Sequence, residues 1–299
     1  MGTEEARNAS RPMLLGLVLL LNGCASDPQA GRYAQAHDSA PANYVNVAHV
    51  KEAVPREEPL SRYGNPASYV VRGRRYHTLA SSEGYRERGV ASWYGTKFHG
   101  HRTSSGETYN MYLMSAAHKT LPLPTYARVT NLRNGKSVIV KINDRGPFHD
   151  NRLIDLSYAA AARLDILGKG TGLVEVAAID PATWRAPAPK PAPKPRIAPS
   201  RPKVDSRAIV AVAPPTAPVQ EPSLYLQVGA FLDRNNAERL QSRLRGIALP
   251  GPLQISESNT DNRPIYRVRV GPLASVEIAD RLTDLLVEHG IHSPRVVVD

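Results

Sequence analysis

The sequence predicts a mainly β protein with two folded domains: a compact N-terminal β-barrel and a C-terminal α+β unit of order βαββαβ. Three observations carry this. Residues 61–180 break into short β-rich runs punctuated by turn residues, with one or two small helices, the pattern of a closed barrel. Residues 222–299 alternate strand-like and helix-like periodicities. Residues 181–221 between them are an Ala-Pro-Lys-Pro run, which favours solvated polyproline II and reads as a disordered linker.

The chain has 299 residues, 26 of them proline, and only 6% are aromatic, so a good part of it is not packed core. Its formal net charge of +11 suits nucleic acid, anionic lipid or an anionic polymer without choosing among them. The N-terminus narrows the choice. Arg7 and Arg11 precede an apolar run over 12–21 that fits a signal-peptide core and is too short to span a bilayer. Leu21-Asn22-Gly23-Cys24 then resembles the lipobox of bacterial lipoproteins, which implies removal of residues 1–23 and lipidation of Cys24. Cys24 is the only cysteine, so no intramolecular disulfide competes for it. Residues 24–60, rich in Ala and Ser, read as a tether. Export makes nucleic acid an improbable partner.

Within 61–180, Arg133-Asn134-Gly135-Lys136 separates two β-rich runs, 126–132 and 137–143, a strong hairpin signal. Ser157 is placed to cap a short Ala-rich helix through Leu164 that ends at Gly168, and 173–179 is a last strand. In the run 137–143, Val138, Val140 and Ile142 share one parity, and Asp144 extends it. A carboxyl at the rim of an apolar barrel is poorly solvated, which raises its pKa toward that of a general acid. Gly146-Pro147 then stops the ladder and turns the chain. The same spacing also fits a structural Asp-Arg pair holding a loop.

Further stretches weigh on that choice. Ala91-Ser92-Trp93-Tyr94-Gly95, the run from Phe98 to Glu107 and Ala116-Ala117-His118-Lys119-Thr120-Leu121-Pro122 join Asn143-Asp144-Arg145-Gly146-Pro147. Together they resemble the double-psi β-barrel of the rare lipoprotein A family. The likeness extends to Arg62-Tyr63-Gly64-Asn65-Pro66 and Asp155-Leu156-Ser157, with Ser104-Ser105 where Ala-Ser or Ala-Asn is frequent. It implies a periplasmic lytic transglycosylase that cuts peptidoglycan without a cofactor, with Glu107, His118 and Asp144 as catalytic residues. Asp144 would protonate the leaving oxygen of the MurNAc–GlcNAc bond and then take the proton of the C6 hydroxyl that closes a 1,6-anhydro ring. Glu107 would hold a hydroxyl or stabilise oxocarbenium-like charge, and His118 would orient a carboxyl or the sugar.

Other residues have two readings. His99 and His101 share a strand face, but with His118 they lack a firm fourth ligand, so no metal is expected. Trp93 and Tyr94 can stack on sugar rings, although neighbours on a strand point to opposite faces and one belongs to the core. Arg145 can grip a substrate carboxylate or pair with Asp150 or Asp155.

In residues 222–299, strands over 224–231, 253–258, 265–270 and 294–298 and helices over 235–244 and 278–289 give a four-stranded sheet with two helices on one face. Leu224-Tyr225-Leu226-Gln227-Val228-Gly229-Ala230-Phe231 and Tyr266-Arg267-Val268-Arg269-Val270-Gly271-Pro272 resemble the signature strands of the sporulation-related repeat, or SPOR domain. That implies binding of glycan strands stripped of stem peptides, through Gln227, Tyr266, Arg267 and Arg269, and enrichment at the division septum. Ala25 after the cysteine implies, by the same likeness, an outer-membrane anchor facing the periplasm. Two rivals are a non-catalytic, septal peptidoglycan-binding lipoprotein with an inactive barrel, and an RNA-binding module. The second lacks the aromatic pattern that stacks bases.

Overall fold

A computed structural model of the protein describes residues 35–185 and 222–299, apart from 36, 44, 261, 262, 292 and 293. The expected signal peptide, the Cys24 anchor and most of the Pro-rich linker lie outside the described residues.

A two-stranded hairpin, β1 (Ser68–Val71) and β2 (Arg74–His77), precedes the barrel. Six strands close the barrel: β3 (Arg86–Tyr94), β4 (Ser115–His118), β5 (Thr125–Asn131), β6 (Ser137–Asp144), β7 (Ile154–Ser157) and β8 (Gly172–Ala178). Their order around it is β3-β7-β4-β6-β5-β8. The β3–β7 and β4–β6 pairs are parallel and the others antiparallel, an interlocked, double-psi-like connection. The β5–β6 hairpin forms as expected, with Gly135 at φ +71°, in the region glycine favours. Ile142, Ile154, Leu156, Leu121 and Leu123 are fully buried inside. Each contributes on the order of 1.5–3 kcal/mol relative to exposure.

Ser157 caps α1 (Tyr158–Arg163), its hydroxyl accepting from Ala160 N and donating to Leu113 O. The helix closes at its C-cap Leu164, as far as it was expected to run, but Gly168 is not its terminator. A separate 3-10 turn, Leu167–Lys169, carries Gly168 inside it and ends at Gly170 with φ +69°.

The N-terminal segment departs from its reading as a tether. Val47 is buried, Ala53 N donates to Ile139 O, and Arg163 donates to Val50 O, so residues 45–60 pack on the barrel as a strap.

The C-terminal domain has β9 (Leu224–Phe231), α2 (Arg234–Leu244), β10 (Leu253–Thr260), β11 (Arg263–Leu273), α3 (Val276–Glu288) and β12 (Arg295–Val298). The sheet order is β10-β11-β9-β12, all antiparallel. Asp233 and Ser275 cap the two helices. Val276, Ala279, Leu282, Thr283 and Leu286 form the buried stripe of α3. Arg152 of the barrel pairs with Asp280, at 2.7 Å, and Arg295 pairs with Glu87.

Candidate active site

The loop over residues 103–107 crosses the end of β6 and gives partners to two successive strand residues. Ser104 N and Ser104 Oγ each donate to Asp144 Oδ1 at 2.7 Å, and Arg145 N donates to the same oxygen at 2.8 Å. Three donors on one oxygen fix the direction of the carboxyl. Ser105 N donates to Asn143 O, tying the loop to the strand itself. Glu107 turns to the neighbouring residues: Oε1 accepts from Lys141 Nζ at 2.8 Å and Oε2 from Asn143 Nδ2 at 2.7 Å. Glu107 and Asp144 are therefore set at one strand end by one loop. The Glu107 side chain is 44% exposed, open to a ligand, while Lys141 behind it is 17% exposed.

After Asp144 the chain turns at Gly146 with φ +134°, a backbone state that side chains rarely adopt. Arg145 does not reach outward to a substrate. Its Nε donates to Gly64 O at 2.8 Å and its guanidinium to Leu121 O, His118 O and Asn65 Oδ1. It pairs with neither Asp150 nor Asp155 in these bonds; Asp150 takes Arg74. Arg145 is thus a staple between the chain at 64–65 and the loop after β4. Burial lowers its pKa, opposed by the charges of Tyr69 and Asp144.

His118, at the end of β4, is buried in the barrel, 2% exposed. Its Nδ1 accepts from Leu121 N at 3.0 Å and Thr120 N at 3.2 Å. With Nδ1 an acceptor, the neutral ring carries its proton on Nε2, which donates to Tyr85 Oη at 3.0 Å; Tyr85 in turn donates to Glu87. Burial, then the charges of Arg145 and Lys119, push the imidazole down to about 3. Both ring nitrogens are engaged with protein, so His118 is placed to shape the loop whose carbonyls receive Arg145.

Asp155 is a carboxyl that sequence reasoning considered only as a possible partner of Arg145. In the barrel register Ser92 faces Asp155, Asp155 faces Ala117, and Ala117 faces Asp144. The Ala117–Asp144 pairing follows a register shift between Ala116 and Ala117, so Asp155 and Asp144 are strand neighbours of the same small residue, Ala117. Ser92 Oγ donates to Asp155 Oδ1. Burial raises the Asp155 carboxyl, against the hydrogen bond from Ser92 and the charges of His149, Arg152 and Lys119. Its signal in the sequence was the Asp155-Leu156-Ser157 stretch.

The aromatic pair Trp93-Tyr94 is packed inward. Tyr94 is 6% exposed and stacks on Tyr109 with ring centroids 4.0 Å apart; Trp93 meets Tyr158 edge-on at 6.0 Å. The stacked Tyr94 ring is closed to a sugar, while Trp93 is only partly buried. Tyr63, 56% exposed and adjacent to Gly106, carries the Arg62 guanidinium over its ring, 5.7 Å from the centroid. His99 is held by Met111 N on Nδ1, and among the described residues no cluster of three His, Cys, Asp or Glu has metal-ligand geometry.

In the second domain Leu226 pairs with Val270 on the helix-covered face, and Gln227 pairs with Arg269 on the other. Arg267 shares Arg269's parity, so Gln227, Arg267 and Arg269 lie on one face. Tyr266 has the parity of buried Val268 and packs with the helix-side core. Tyr225 takes the open-face position instead, beneath the Arg269 guanidinium at 5.9 Å. Arg269 also pairs with Asp299 at 2.7 Å.

The lytic transglycolase family model matches residues 86–176 and the SPOR domain model residues 221–293. The chain is 41% identical over 330 residues to the endolytic peptidoglycan transglycosylase RlpA of Pseudomonas aeruginosa (strain UCBPP-PA14), covering 96% of both chains. It is 49% identical over 178 residues to the RlpA of Vibrio cholerae serotype O1, covering 60% of this chain and 66% of the other. Among solved structures, the RlpA SPOR domain from Pseudomonas aeruginosa aligns at 35% identity and a TM-score of 0.24, covering 25% of this chain and 96% of that one. With that identity sustained along nearly the whole of both chains, the protein belongs to the rare lipoprotein A (RlpA) family.

Proposed function

We propose that the protein is an endolytic peptidoglycan lytic transglycosylase. It cleaves MurNAc–GlcNAc bonds within glycan strands and leaves 1,6-anhydroMurNAc ends. The single observation that carries this reading is the loop over 103–107, which holds the Asp144 carboxyl and brings its own Glu107 to the same end of β6, in a chain related over 96% of its length to a named transglycosylase. A lytic cut needs a proton for the leaving oxygen and a base for the C6 hydroxyl, and one carboxyl can serve in turn. Asp144 has that part. Glu107, pinned through both oxygens and open to solvent on its outer side, is a fixed anion beside oxocarbenium-like charge. His118 is a positioning residue that acts through the loop received by Arg145.

Asp144→Asn keeps the shape of the side chain and removes the titrating group. The variant should fold and release less than about 1% of the wild-type 1,6-anhydro product, in line with general acid–base contributions of roughly 10²–10⁴. Near wild-type release would move the proton to Asp155 or Glu107, and Asp155→Asn is then the next variant to assay.

The finer assignments belong to the same proposal. The open face with Gln227, Arg267 and Arg269 binds glycan strands stripped of stem peptides, and so concentrates the enzyme at the septum. Cys24 carries lipid and holds the protein on the periplasmic side of the outer membrane. Cys24→Ala should shift the protein from the membrane to the soluble fraction of cell lysates. Unchanged fractionation and mass would remove the anchor from the account.

A further inference from the structure

Lys141 stands between two carboxylates. Its Nζ lies 2.8 Å from Glu107 Oε1 and 2.9 Å from Glu58 Oε2. Glu58 comes from the strap ahead of the barrel, 83 residues away in sequence. Tyr126 Oη donates to Glu58 Oε1, and Arg56 Nε donates to the same oxygen at 2.8 Å. Glu58 and Lys141 are 21% and 17% exposed, whereas Arg56 is 70% exposed. Lys141 and Asn143 alternate along β6 with Ile142 and so project to one side, where both hold Glu107.

This arrangement has an electrostatic consequence. An ammonium group paired with Glu107 alone would cancel the anion that the reaction needs. A second, sheltered carboxylate on the far side of the ammonium leaves the three groups with a net charge of minus one. Arg56 pairs with the far oxygen of Glu58 and, 70% exposed and screened by solvent, offsets this charge only in part. Burial would raise Glu58, but the hydrogen bonds from Tyr126, Arg56 and Lys141 outweigh it and hold the carboxyl down at about 2, so Glu58 stays charged at neutral pH. We infer that Glu58 is a positioning and charge-compensating residue for the cutting reaction: through Lys141 it holds Glu107 in place and preserves its negative charge, so the strap at 56–58 is part of the active site. This rests on the reading of Glu107 as the anion of the lytic reaction.

The test is steady-state release of 1,6-anhydro product from purified sacculi by the full chain and five variants: Glu58→Gln, Lys141→Met, their double variant, Lys141→Arg and Glu107→Gln. Glu58→Gln keeps an acceptor for Tyr126 but loses the ion pairs with Arg56 and Lys141, so its melting temperature should fall, and activity is read at a temperature where the variant is fully folded. It should lower kcat about tenfold, a barrier change of about 1.4 kcal/mol, with KM within twofold. In the Lys141→Met background there is no ammonium left to compensate, so Glu58→Gln should cost little more, and the two effects should not multiply. Lys141→Arg, which restores the cation, should recover part of the Lys141→Met loss. Wild-type kinetics for Glu58→Gln, or effects that multiply, would overturn the inference. If Glu107→Gln is nevertheless inactive, the anion assignment stands without the relay. If Glu107→Gln cuts as fast as wild type, both fall together.

Discussion

His118 carries no charge in the folded barrel because burial removes its hydration and its Nδ1 faces two backbone N–H groups. Its pKa falls from 6.5 to about 3. A depressed histidine binds its proton in the unfolded chain first, so its contribution to stability is complete above pH 6.5 and is lost as the pH falls toward 3. The slope approaches about 1.4 kcal/mol per pH unit below pH 6. Glu58, held at about 2, adds a loss in the same direction only below its ordinary value near 4.5. Denaturant unfolding of the wild type at pH 7 and pH 5 should therefore show a marked loss at the lower pH. His118→Asn, whose Oδ1 can replace Nδ1 as acceptor, should be less stable at pH 7 and lose far less between the two. An equal loss in both proteins would place the pH dependence elsewhere. At this scale the family motifs pointed to Glu107, His118 and Asp144, and Glu107 and Asp144 do meet at the end of β6. The motifs did not reveal that His118 has both nitrogens occupied, or that Arg145 is spent on backbone carbonyls. Those facts depend on which loops meet, which spacing along one chain does not encode.

At the scale of elements, the segments that were legible have strong local chemistry. Asn134-Gly135 makes the β5–β6 hairpin, and Ser157, Asp233 and Ser275 make helix starts. β4 was not legible as a strand: Ser-Ala-Ala-His has no β-branched residue, and every position is buried, so it shows no alternation. The strap was read as tether because it packs through backbone hydrogen bonds and a few small apolar groups, with little periodicity to see. Its hold on the site gives a prediction. Gly64 has φ +82°, and a Cβ there would lie 2.6 Å from Ser104 O, in the loop that grips Asp144. Gly64→Ala should cost about 1–3 kcal/mol in unfolding free energy and lower kcat, since the chain at 64–65, which follows the strap, must move off that loop. Calorimetry together with product release checks both parts. An unperturbed melting temperature with full activity would show that the chain at 64–65 can relax without consequence.

For the whole molecule, the order of barrel and SPOR domain was readable because each carries its own motif strands, separated by a proline-rich run that cannot form a core. The polar contact between Arg152 and Asp280 had no signal in the sequence. A glycan-binding domain on the same chain raises the substrate concentration that the barrel meets. Deleting residues 222–299 should therefore abolish septal fluorescence of a tagged protein and raise KM on sacculi while the barrel still cuts at high substrate. Septal enrichment of the truncated protein would assign targeting to the barrel or the N-terminal segment. The central claim is that the barrel performs a lytic cut, and the most direct test is mass spectrometry of the products released by the full chain from amidase-treated sacculi. The account predicts glycan fragments ending in 1,6-anhydroMurNAc, more abundant than from intact sacculi and absent with Asp144→Asn. Fragments ending in reducing MurNAc, or no release by the wild type, would contradict it.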